Sequence, residues 1–140
     1  MPRISKKAVN QKHETSDAAT LAAVVVEALQ EIKGRDISEI RFGESVEHPL
    51  FDAFILCSAT STVQAEALCE NVQRRVYEKL HLEPSHHEGR TQAQWILIDY
   101  FNVLVHIFLE DKRQFYNLEG LWNDAEILHC DDTVQTSINR

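Results

Sequence analysis

Apolar residues recur along this chain at two spacings, and the switches between them mark out its elements. Ala18, Leu21, Ala22, Val25, Ala28, Leu29 and Ile32 fall three or four residues apart. That spacing predicts a helix, with Ser16 or Asp17 as its N-cap and Gly34 as its stop. Ile37 to Phe42 alternates weakly and reads as a first strand, followed by a loop over 43–49. Leu50 to Ser58 is almost continuously apolar, and its length favours a buried strand.

A second helix opens at Ser61-Thr62-Val63-Gln64, a capping box in which hydroxyl and amide satisfy free backbone N–H groups reciprocally. Ala65, Leu68, Cys69, Val72, Val76 and Leu80 form its apolar stripe, opposite Glu66, Glu70, Arg74 and Glu78. Leu82 to Arg90, with Pro84 and Gly89, reads as a loop. Gln94 to Tyr100 and Val103 to Phe108 form a hairpin joined at Phe101-Asn102. Asn102 tolerates a left-handed backbone and Phe101 resists it, so a turn longer than two residues is expected. Asp111 is placed to cap a last helical turn.

The order helix, two strands, helix, two strands, short helix implies an α/β (α+β) domain, a mixed β-sheet flanked by helices. Its expected boundaries are a disordered basic tail over 1–15, one domain over 16–124 and a flexible tail over 125–140. Alternation puts Trp95, Leu97 and Asp99 on one face of their strand and Ile96, Ile98 and Tyr100 on the other. Two long helices cannot easily cover both faces of such a sheet. An uncovered face carrying Trp95 would be an apolar patch of the kind that marks a partner site.

Charge sharpens this picture. The net charge is −8, but residues 1–16 carry +3 and residues 17–140 carry −11. A domain this acidic repels phosphate backbones, so little direct nucleic-acid contact is expected, and a basic protein is the better partner. No apolar run reaches the roughly 20 residues that span a bilayer. Three irregularly spaced cysteines read as reduced thiols in a cytosolic protein.

Catalytic signals are weak. There is no glycine-rich phosphate loop, and the only close carboxylate pair with the spacing of a Mg²⁺ site is Asp124-Ala125-Glu126, in a segment without apolar support. His81, His86 and His87, with Glu83 and Glu88, lack the regular spacing of a zinc site. His106 lies inside an apolar run, with Asp99 as the nearest conceivable partner. The residues read as a binding module without cofactor or metal rather than an enzyme.

Three late motifs, W-I-L-I-D-Y from Trp95, V-L-V-H-I-F containing His106, and R-x-x-Y-x-L-E-x-L-W from Arg113 to Trp122, occur in order with close spacing. Phe51-Asp52, C-S-A-T-S-T-V-Q from Cys57 and Glu88-Gly89 accompany them. In these the chain resembles the ribosomal silencing factor family, also called the Iojap family, over roughly residues 20–124. The resemblance implies a nucleotidyltransferase-like fold without catalytic carboxylates. It also implies a translational repressor that binds the large ribosomal subunit through ribosomal protein L-fourteen and blocks joining of the small subunit when nutrients are scarce. Organelle relatives imply a role in large-subunit assembly. The recognition surface would carry over to Trp95, Asp99, His106, Tyr116, Leu118, Glu119 and Trp122, in a cytoplasmic protein for which a weak homodimer stays open. The chain departs from the family at Phe101, where glycine is usual, at Asn102, where aspartate is usual, and at Ala59, where glycine is usual.

Overall fold

A computed structural model describes residues 17–43 and 50–130. The basic N-terminal segment, the loop over 44–49 and the last ten residues lie outside the described residues. The elements are α1 (Ala18–Glu31), β1 (Arg35–Arg41), β2 (Ala53–Ala59), α2 (Thr62–Leu80), β3 (His86–Glu88), β4 (Trp95–Asp99), β5 (Val103–Leu109), α3 (Glu110–Tyr116), α4 (Leu118–Leu121) and β6 (Glu126–His129). The six strands make one sheet in the order β3-β4-β5-β2-β1-β6. Every neighbouring pair is antiparallel except β2 and β5, which run parallel. The expected mixed sheet and α+β class are therefore what the protein has.

Helix α1 starts where Asp17 accepts the Thr20 N–H at 2.9 Å. Its end departs from expectation. Lys33, not Gly34, takes the left-handed conformation (φ 65°). The N–H of Gly34 reaches Leu29 O and that of Lys33 reaches Gln30 O, the hydrogen-bond pair of a Schellman motif. Gly34 is needed for space instead: a Cβ there would collide with Cys57 Sγ. Burial pushes that thiol up to about 12, so Cys57 acts as a small hydrophobe.

Ser61 caps α2 as expected, accepting the Gln64 N–H at 3.0 Å. The Gln64 side chain does not close the reciprocal half of the box. Its oxygen accepts from Thr60 N at 2.7 Å, while its amide donates to Ile32 O and Lys33 O at 3.0 and 3.1 Å. The start of one helix is thereby tied to the end of the other.

Helices α1 and α2 lie side by side on one face of the sheet. Leu21, Val25 and Leu29 from α1, and Leu68, Val72 and Val76 from α2, pack onto Ile55, Cys57, Ile96, Ile98, Val105 and Ile107. All seven residues of β2 are buried, as a central strand covered on both faces requires. The second face carries a smaller cluster built on Ile40, Phe54, Leu56 and Phe108. It is roofed by α3 and α4, and Ile127 of the edge strand β6 packs against it.

Two expectations are corrected here. The segment after 125 is not wholly a tail: β6 pairs with β1 (Ile127 opposite Ile40), and Ile127 packs into the second cluster. The expected loop over 82–90 contains edge strand β3, with His86 opposite Asp99. All three β3 residues are exposed, so no apolar alternation could announce it.

Candidate functional site

The second face of the sheet carries most of the chain's aromatic groups. β4 presents Trp95, β5 presents His106 and Phe108, and α3 lays Tyr116 on top. The Trp95 ring stacks on Phe108 at 4.9 Å and meets Tyr116 at 4.6 Å. Its Nε1–H donates to His106 Nδ1 at 3.1 Å. An indole N–H can only donate, so the neutral imidazole carries its proton on Nε2. That atom is buried and has no hydrogen-bond partner among the described residues. Burial, assisted by the nearby Arg113 charge, lowers the histidine's pKa to about 3. His106 is therefore a neutral internal pillar rather than an acid–base group.

Trp122 belongs to the other end of the same layer, edge-on to Phe42 at 5.0 Å and Phe54 at 6.3 Å. Asn117 makes this possible. Left-handed at φ 45°, it ends α3, and its side chain accepts from Gly120 N to start α4. The kink brings Leu118 and Trp122 back onto the sheet. Asp111 does not cap α3; Leu109 is the N-cap, and Asp111 sits with Glu110 in the first turn, where the helix dipole favours acids.

The turn between β4 and β5 is tighter than expected. Tyr100 O accepts from Asn102 N at 2.8 Å around Phe101, which takes φ 74°. Asp99 holds this γ-turn by accepting the Phe101 N–H at 2.8 Å. The phenylalanine, not Asn102, carries the left-handed conformation.

The seven residues expected at a recognition surface thus divide. Tyr116 is exposed; Trp95 is half-buried against it, and Leu118 and Trp122 are half-buried elsewhere in the same layer. His106 is buried and Asp99 braces the turn. Glu119 is engaged internally by Arg113 at 2.7 Å. Burial pushes the Glu119 carboxyl up, but hydrogen bonds and charge from Arg113, with the Ser38 hydroxyl, bring it net below the usual carboxylate range. Sequence reasoning left out Phe115, whose ring lies 5.0 Å from that of Tyr116, and Leu121 on α4; they stand 78% and 69% exposed. A helix of seven residues followed by one of four is too short for periodicity to reveal which apolar side chains face outward.

Catalytic chemistry finds little support in the arrangement. Asp124 and Glu126 line an open recess of about 690 Å³ with Glu39, Asp52 and Arg41. There the Glu39 carboxylate is taken by Arg41 at 3.0 Å. Among the described residues no group of three His, Cys, Asp or Glu side chains is gathered as a metal site. His81 ends α2 with its ring edge-on to Tyr77 at 5.6 Å, and His86 pairs with Glu88 at 3.2 Å. No helix among the described residues is long and apolar enough to cross a membrane.

Residues 14–140 match the family model described as ribosomal silencing factor during starvation. A ribosomal silencing factor from Halalkalibacterium halodurans is 36% identical over 83 residues, 59% of this chain and 70% of that protein. A mouse protein named mitochondrial assembly of ribosomal large subunit protein 1 is 26% identical, over 71% of this chain and 43% of its own length. A crystal structure from Chromobacterium violaceum superimposes with a TM-score of 0.71 at 30% identity, covering 77% of this chain and 88% of that one.

Proposed function

This chain belongs to the ribosomal silencing factor family, and on that premise we propose that it docks on the large ribosomal subunit through ribosomal protein L-fourteen and keeps the small subunit from joining. The observation that carries the reading is the trio of large apolar side chains that α3 and α4 leave exposed, Phe115, Tyr116 and Leu121, together termed the plate. These large apolar side chains face solvent, and beneath Tyr116 the rings of Trp95 and Phe108 are stacked on each other. Rigid aromatic anchors with low ordering cost are what binding hot spots are made of. The acidic charge of the domain suits a basic ribosomal protein and disfavours nonspecific contact with rRNA.

The mechanism is competition. A specific interface buries on the order of 1,600 Å² in total. A body held there, in the path of the small subunit, makes the two binding events mutually exclusive. The coupling is reciprocal, so excess small subunit weakens binding of this protein. No chemical step is invoked.

Sedimentation tests the reading. Purified large subunits preincubated with the protein should carry it into their own peak and fail to form the joined ribosome when small subunits are added. Subunits that join equally well with the protein bound would reject it. The name of the mouse relative favours a second reading, an assembly factor using the same surface. In that case the protein would ride on large-subunit precursors and leave mature subunits alone.

A further inference from the structure

The exposed plate stands on two short helices, seven residues in α3 and four in α4. Helices of that length are not stable by themselves. Leu109 gives α3 no side-chain cap bond, and neither helix has a fully buried residue. A polar group fastens them to the sheet instead. The Arg113 guanidinium, only 11% exposed, donates to Ser58 Oγ on β2 at 2.9 Å and to Ser38 Oγ on β1 at 3.3 Å. It also donates to both carboxylate oxygens of Glu119 on α4, at 2.7 and 3.3 Å. The Ser38 hydroxyl donates to Glu119 Oε2 at 3.0 Å. One side chain thus joins α3, α4, β1 and β2, using a planar fork that lysine cannot reproduce.

Resting on the docking reading above, we propose that Arg113 and Glu119 are positioning residues: they form an internal clamp that sets the height and angle at which Phe115, Tyr116 and Leu121 meet the partner. Glu119 acts through Arg113 and not by touching the ribosome. Both of its oxygens are already engaged within the chain. Loosening one jaw leaves a largely buried charge without its counterpart, and the plate shifts to let water in.

A double-mutant cycle in binding to purified large subunits tests this. It compares wild type, Arg113→Met, Glu119→Gln and the double variant, with hydrogen exchange of each free protein read across residues 110–122. The clamp predicts about tenfold weaker binding for each single variant and no more than about threefold further loss for the double. Exchange across 110–122 accelerates while that across 53–59 does not. Ser38→Ala is the milder companion, should either charge variant unfold. Ser38 is 0% exposed, out of any partner's reach, so a severalfold loss of affinity there with the melting temperature nearly unchanged supports positioning. Losses that multiply in the double variant, or full affinity of folded Arg113→Met, overturn the clamp. If the wild-type protein itself ignores large subunits, the docking reading falls instead. The exchange rates over 110–122 then still decide, in the free protein, whether the clamp orders that segment.

Discussion

Trp95 donates its indole N–H to Nδ1 of His106 across 3.1 Å, and the acceptor is a histidine kept neutral by burial. The pair crosses from β4 to β5, on the face that α3 roofs. It sets the rotation of the indole and so the floor on which Tyr116 rests.

This pair makes stability depend on pH with a definite sign. His106 titrates near 6.5 when unfolded and at about 3 when folded. The unfolded chain therefore binds the proton first. Stability is at its full value above pH 6.5 and is lost as pH falls towards 3. Between pH 6.5 and 4.5 the expected loss is about 2–3 kcal/mol, from roughly 1.4 kcal/mol per unit. Urea denaturation across that window should show the slope, and His106→Asn, whose amide oxygen can still accept from Trp95, should flatten it.

The plate and the layer beneath it should separate in mutagenesis. Leu121→Asp and Phe115→Asp alter side chains that are mostly in solvent, so the melting temperature should stay within a few degrees. Binding to large subunits should drop by about tenfold or more if these are anchors. Trp122→Ala and Trp95→Ala should instead cost about 2–3 kcal/mol of stability, because both rings are packed against neighbours. Thermal melts run beside binding assays check both halves.

Gly34→Ala should destabilise the protein by about 1–3 kcal/mol, the usual cost of overpacking. The added methyl would meet Cys57 Sγ, and Leu29 O and Leu68 Cδ2 lie 3.2 Å from it. Converting Cys57 to alanine in the same chain should recover part of the loss, since it removes the atom in conflict. A denaturant midpoint that does not move on Gly34→Ala would contradict the close approach.

At Phe101 the ordinary ranking of alanine over glycine should invert. Both substitutions remove the ring, but only alanine keeps the cost of a left-handed backbone at φ 74°. Phe101→Gly should be the more stable variant by about 1 kcal/mol, read from paired thermal melts. Equal stabilities would mean that the turn relaxes out of the γ conformation.

The amino-acid sequence by itself determined whatever depends on near neighbours. Helical spacing of leucine, valine and alanine located α1 and α2, Ser61 marked the start of α2, and alternation sorted Ile96 and Ile98 from Trp95 and Leu97. The three late motifs carried the family. Tertiary structure alone decided what depends on distant pairing. β3 and β6 are short, and their backbone groups find partners only because β4 and β1 offer open edges. The fates of His106 and Glu119 were decided the same way. The family resemblance marks each as a recognition residue; in the fold Trp95 donates to the histidine and Arg113 pairs with the carboxylate, while Tyr116, Phe115 and Leu121 face the solvent. Periodicity reports which side of its own element a residue occupies; it carries no record of the side chain that arrives from another element to satisfy a buried polar atom.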